Sequence, residues 1–260
     1  KPISPQADVR MDIFNRDGSQ VGACGNATRC IARLMFRFLG RNNCVIETRA
    51  GLLEAWDDPS GLIAVDWGAP RLAWNEIPLA GEADTLHVPV SCGCLSDPCC
   101  VNVGNPHAVF FVPDIEAVPL SEVGPRLEND PAFPERCNIE IAQILASDRI
   151  RMRVWERGTG ITDACGTGAC ATLIAAVRRN LCSRRASIEM TGGNLIIEWR
   201  EDGHLVMVGP ASLSFSGVVA EKFGSYEENV ALNLADIVAE GDGDYEEKAS
   251  EFGDYEENVA

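Results

Sequence analysis

Two cysteines, 141 positions apart, open closely similar stretches: Ala23-Cys24-Gly25-Asn26-Ala27-Thr28-Arg29-Cys30 and Ala164-Cys165-Gly166-Thr167-Gly168-Ala169-Cys170. Each leads into a helical pattern. A thiol at a helix N-terminus faces unpaired backbone N–H groups and the positive end of the helix dipole, so its anion is favoured. The glycine after each cysteine lets a carboxylate approach those amides closely. Two such thiols could close on one α-carbon from opposite sides. One, as thiolate, would take the α-proton; the other, as thiol, would return a proton to the opposite face. Configuration would invert without a cofactor, and the N–H groups would favour the charge that develops on the carboxylate.

The elements that must position this pair are legible in outline. Residues 11–23 read as a strand entering a turn at Asn15 and Asp17-Gly18-Ser19. The helix after Cys24 is predicted to bury Ile31, Leu34, Met35, Phe38 and Leu39 and to stop at Gly40. Strands are expected over 45–58, turning at Gly51, and over 62–72; the interval 73–86 reads as a loop and a hinge. The segment 99–112 reads as two strand pieces joined at Gly104-Asn105-Pro106, followed by a Pro- and Glu-rich loop through Pro134 and a short strand over 138–145. Ile150, Met152 and Val154 alternate with Arg151, Arg153 and Trp155, a half-buried strand that runs into Glu156-Arg157-Gly158. The helix after Cys165 carries Leu173, Ile174, Val177 and Leu181, with Arg178 and Arg179 suited to its C-terminal dipole. A hairpin turning at Asp202-Gly203 ends near Gly217. Strand, Cys-Gly turn, helix and antiparallel strands thus occur twice, which predicts an α+β fold of two similar units, the first one short.

Composition sets the bounds. The 260 residues are 46% hydrophobic and 23% charged, ordinary for a globular protein with a sizeable core. No apolar run approaches the ~20 residues of a membrane span, and no signal peptide is visible. Eleven cysteines without an export signal read as reduced thiols in the cytoplasm. The net charge of −17 is uneven: residues 218–260 hold 13 Asp/Glu against 2 Lys, and the remainder carries only −6. No basic stripe is present for a nucleic-acid backbone. In the acidic tail, residues 223–231 recur almost unchanged as 252–260, and the tail is expected to lie outside the core.

Five stretches together resemble the signatures of the diaminopimelate epimerase family, in that family's order from about Val9 to Gly217. They are Phe14-Asn15-Arg16-Asp17-Gly18-Ser19 with the Cys24 stretch; Val103-Gly104-Asn105-Pro106-His107-Ala108-Val109; Pro134-Glu135-Arg136-Cys137-Asn138-Ile139-Glu140; Trp155-Glu156-Arg157-Gly158; and the Cys165 stretch. The resemblance implies that Cys24 and Cys165 are the catalytic acid/base pair and that Asn15, Asn105, Asn138, Glu156 and Arg157 bind substrate. It implies that Gly25-Asn26 and Gly166-Thr167 cradle the reacting carboxylate, and that His107 and Glu156 adjust the thiols. It further implies two pseudo-symmetric domains, each a mixed β-barrel around a central helix, over 1–68 plus 210–217 and over 69–209. Interconversion of LL- and meso-2,6-diaminopimelate for lysine and cell-wall precursors, no pyridoxal phosphate or other cofactor, no metal, a homodimer and no membrane or nucleic-acid partner belong to the same implication. Relatives of that type begin with a strand segment carrying Gly-Asn-Asp-Phe. None precedes Lys1, so the first domain is expected to be incomplete.

Other readings stand beside this one. A proline racemase-like enzyme shares the two-thiol logic, though such proteins resemble Cys-Gly-His where this chain has Cys24-Gly25-Asn26. An inactive scaffold or thiol-redox protein is the reading without epimerase activity. Cys92-Gly93-Cys94 with Cys99-Cys100 lacks the paired spacing of a structural zinc site, and Cys30, Cys44, Cys137, Cys170 and Cys182 read as structural. His87 and His204 read as surface residues.

Overall fold

A computed structural model describes residues 1–14, 18, 20–22 and 24–213. Asn15, the turn residues Asp17 and Ser19, and the acidic tail over 218–260 lie outside the described residues.

The alternation read from the sequence is what the backbone adopts: Arg149–Glu156 is a strand that buries Ile150, Met152 and Val154. It belongs to a mixed sheet whose order runs Val9–Arg10, Asn43–Thr48, Gly51–Asp57, Ile63–Asp66, Leu205–Gly209, Gly193–Trp199, Arg185–Met190, Arg149–Glu156, Asn138–Ala146, Pro106–Phe111, Cys99–Asn102. Gly160–Thr162 pairs with Arg149–Glu156 off this path. Among the described residues three pairings are parallel, including Pro106–Phe111 with Asn138–Ala146, where His107 lies opposite Asn138 and Val109 opposite Glu140. The hairpin turn at Asp202-Gly203 is as expected, with Gly203 at φ 90°.

Among the described residues three helices accompany the sheet: α1 (Gly25–Leu39), α2 (Leu120–Glu128) and α3 (Gly166–Arg178). Helix α1 ends at Gly40, which takes the left-handed φ of 65° and donates its N–H to Phe36, the conformation that glycine adopts without a steric cost. The buried face of α1 differs from the predicted one. Ala32, Met35 and Phe36 pack on Ile46, Leu53, Ile63 and Val65, whereas Leu34 and Phe38 are 52% and 47% exposed. Apolarity alone put Leu34 and Phe38 inside; the described strands meet the helix on its adjacent face.

Helix α3 is not one-sided. Every residue from Gly168 to Ala176 is buried, and strands between Cys99 and Gly209 surround it. Gly168, Ala169, Ala171, Ala175 and Ala176 keep it slender, while Leu173 and Ile174 fill the space around it, each contributing roughly 1.5–3 kcal/mol of burial. Leu181 lies beyond its end and is 40% exposed.

One expected loop is ordered differently: the Pro- and Glu-rich stretch contains α2, obscured in the sequence by Gly124 and Pro125, which read as breakers. The interval 73–86 is a loop, as expected, and is packed down: Ile77 and Leu79 are buried, and Thr85 donates to the Leu72 carbonyl and accepts from Arg178. All eleven cysteines are free thiols. Cys99 and Cys100 enter different cores from opposite faces of one strand. Among the described residues no helix is long and apolar enough to cross a membrane.

Candidate active site

Both key cysteines occupy N-cap positions with extended backbones, φ −144°, ψ 117° at Cys24 and φ −133°, ψ 110° at Cys165. The residues that follow them bring the tips of α1 and α3 together. A Cβ placed on Gly166 would lie 2.9 Å from Met207 Cε and 3.9 Å from Gly25 Cα. One placed on Gly25 would lie 3.0 Å from Met207 Sδ and 3.4 Å from Trp67 Cζ2. The two glycines therefore permit a close joint between the helix starts, with Met207 packed beneath both. Cys24 is half-buried and Cys165 is buried.

At Cys165 the sulfur accepts the Gly168 N–H at 3.4 Å and lies 3.5 Å from Thr167 Oγ1. These contacts favour the anion, as expected from the sequence. Burial outweighs them, and with the nearby carboxylates of Glu156 and Glu140 it pushes the thiol up to about 12. Burial thus favours the protonated form of Cys165, one of the two forms expected for the pair.

Glu140 was not singled out in the sequence. It is fully buried with His107, whose Nδ1 is 2.6 Å from Glu140 Oε1. The other ring nitrogen of His107 is 2.9 Å from Asn105 Oδ1. Burial raises the Glu140 carboxyl, and its Oε2 has no hydrogen-bond partner. A Cβ on Gly168 would lie 3.0 Å from Glu140 Oε1 and 3.4 Å from Cys165 Cβ. Glu140 thus sits under the first turn of α3, and links His107 and Asn105 to the Cys165 tip. The sequence signal was available, because Asn138 and Glu140 share a strand face.

Asn138 is buried, and its side chain joins two parts of the site. Its Oδ1 accepts the Arg157 N–H at 2.9 Å, and its Nδ2 donates to the Pro106 carbonyl at 3.0 Å. Arg157 Nη1 donates to the Glu135 carbonyl at 2.9 Å, and Glu156 accepts from the Thr162 hydroxyl. Glu128, at the end of α2, accepts from Trp155 Nε1 at 2.7 Å and from the Gly158 N–H at 2.8 Å, bracketing Glu156 and Arg157. Hydrogen bonds thus link Asn105, His107 and Glu140 in one chain and Pro106, Asn138 and Arg157 in another, while Glu156 is bonded to Thr162; Glu140 and Glu156 are the carboxylates that act on Cys165. Gly25 and Gly166 form the joint, Thr167 lies beside the Cys165 sulfur, and Asn26 is exposed on the first turn of α1. His87 and His204 are exposed beside Asp97 and Asp66.

In fold the chain is similar to a PhzF-family phenazine biosynthesis protein of Bacillus anthracis, with a TM-score of 0.55 and 18% identity over 80% of this chain and 79% of that one. It is also similar to a hydroxyproline epimerase of Agrobacterium vitis, with a TM-score of 0.60 and 14% identity over 81% of this chain and 70% of that one. The fold is thus the α+β architecture shared by those proteins, with two halves each built on a helix. The diaminopimelate epimerase family profile matches residues 2–73 and 99–214. The diaminopimelate epimerase of Rhodospirillum centenum is 56% identical over 220 residues, 85% of this chain and 76% of that protein. The chain belongs to the diaminopimelate epimerase family and is an isomerase.

Proposed function

We propose that the chain interconverts LL- and meso-2,6-diaminopimelate by two-thiol acid/base chemistry, in the synthesis of lysine and cell-wall precursors. The observation that carries this reading is the joint between α1 and α3, where Gly25 and Gly166 meet over Met207 immediately after Cys24 and Cys165. The paired N–H groups receive the reacting carboxylate. Cys24, half-buried and reachable, takes the α-proton as thiolate: the C–H bond breaks, an S–H bond forms, and the electron pair passes into the carboxylate. Cys165, which holds its proton, gives it to the opposite face of the α-carbon, leaving Cys24 as thiol and Cys165 as thiolate. The reverse isomer uses that second state, or exchange with water restores the first.

Asn15, Asn105, Asn138, Glu156 and Arg157 form the substrate-binding set in this reading, with Asn138 acting also as a strut. Glu140 and Glu156 hold the Cys165 proton in place, and His107 acts through Glu140. The two halves divide near residues 68 and 210, and the working form is a cytoplasmic homodimer.

The test is turnover of LL-diaminopimelate in deuterium oxide. Deuterium should enter the α-carbon of the product, and Cys24→Ala and Cys165→Ala should each abolish inversion while leaving the circular dichroism spectrum unchanged. Normal turnover by either single variant refutes the scheme. Racemisation of proline in place of diaminopimelate would assign the chain to the proline racemase-like alternative.

A further inference from the structure

Arg29 stands where a cation is costly. It is 5% exposed, and it lies in the second turn of α1, close to the positive end of the dipole. Its guanidinium donates to the Asn26 Oδ1 at 2.8 Å, the Gly25 carbonyl at 3.2 Å, the Pro210 carbonyl at 3.3 Å and Met207 Sδ at 3.0 Å. Among the described residues, none of these partners is a carboxylate. A buried charge without a counter-ion is unfavourable by several kcal/mol, and burial duly lowers the Arg29 pKa. Gly209 accommodates the group: a Cβ there would lie 3.1 Å from Arg29 Nε. The joint between the two helix tips therefore carries a standing positive charge close to where a bound carboxylate would lie.

We propose that Arg29 is a positioning residue for this site: by holding the Asn26 side-chain oxygen it orients Asn26 toward the reacting carboxylate. The proposal rests on the epimerase reading above. Four neutral acceptors hold the guanidinium in one orientation, so it acts through Asn26.

The test compares Arg29→Met and Arg29→Lys with the wild-type chain. Two readouts are used: KM and kcat for diaminopimelate, and Kd for diaminopimelate by calorimetry. Arg29→Met should fold with an unfolding midpoint equal to or above wild type, because an apolar chain replaces an unpaired buried cation. Its KM and Kd should rise roughly tenfold or more, as expected for loss of a charged hydrogen bond, while kcat changes far less. Arg29→Lys keeps the charge but cannot span the same acceptors, so its KM and Kd should rise as well. Wild-type KM and Kd in Arg29→Met overturn the proposal. If Arg29→Met fails to fold, wild-type Kd in Arg29→Lys marks a purely structural strut and overturns it, whereas a raised Kd supports it. If the wild-type chain binds diaminopimelate without exchanging its α-proton, the epimerase reading alone fails and the Kd values still decide; a wild-type chain that does not bind diaminopimelate overturns the proposal.

Discussion

Gly124→Ala in α2 separates helix propensity from packing. Alanine in a helix interior should gain about 1 kcal/mol over glycine. In this structure a Cβ at 124 would lie 2.6 Å from Trp155 Cδ2 and 2.8 Å from both Cγ and Cε3. The obstacle is a rigid ring, so it must move as a whole. Trp155 cannot move freely, because its indole N–H is bonded to Glu128 on the same helix at 2.7 Å. Overpacking costs about 1–3 kcal/mol, and a hydrogen bond to a charged group is worth about 1.5–3 kcal/mol. The net effect is a loss of roughly 2–4 kcal/mol. At about 2–4 °C per kcal/mol for a chain of this size, the unfolding temperature should fall by roughly 5–15 °C. Trp155 precedes Glu156 and Arg157, so KM for diaminopimelate should rise as well. Thermal unfolding followed by tryptophan fluorescence, with initial-rate kinetics on the same preparation, measures both. An unfolding temperature at or above wild type would show that propensity prevails, and that the ring is not wedged on Gly124.

Removing the strut by Asn138→Ala deletes two buried bonds and should cost about 2–4 kcal/mol in a urea titration; KM should rise more than kcat falls, because the change displaces Arg157 and not the thiols. Alkaline pH should weaken the fold. Burial pushes the Cys165 thiol up to about 12 and the Cys44 and Cys182 thiols up to about 11. The unfolded chain releases these protons near the ordinary thiol value while the folded chain retains them. Their stabilising contribution is therefore complete below about pH 9 and is lost as pH rises toward 11–12. The urea midpoint should be lower at pH 10.5 than at pH 8, and a midpoint unchanged between the two would refute the assignment.

The two helix starts were legible because a local pattern marks them. A cysteine followed by glycine at a helix start is written in consecutive residues, and both helices begin there. The strand over Arg149–Glu156 and the turn at Asp202-Gly203 were legible for the same reason, through period-two alternation and turn residues. What escaped depends on partners distant in the chain. Glu140 matters because His107 lies beside it across a parallel pair. Arg29 matters because Met207 and Pro210, far along the chain, supply two of its acceptors. Helix α2 escaped because Gly124 and Pro125 read as punctuation, whereas Gly124 is the space into which Trp155 fits. The face of α1 was misread because hydrophobicity identifies candidates for burial but not the direction from which neighbours arrive. Which cysteine keeps its proton was not legible, because a helix terminus and a low-polarity pocket act oppositely on a thiol, and only the folded surroundings decide which prevails.

The strand Leu205–Gly209 is hydrogen-bonded to Ile63–Asp66 on one side and Gly193–Trp199 on the other, and it also places Met207 between the two helix tips. The spacing of the two helix starts is consequently gauged by a β-ladder, whose registry changes only in whole-residue steps. If the proposed reaction takes place there, the molecule cannot adapt to a bulkier reacting centre by gradual opening along that seam. Divergence toward other substrates would then come from what surrounds the centre, such as the turns bearing Asn105 and Arg157, while the separation of the helix starts stays constant.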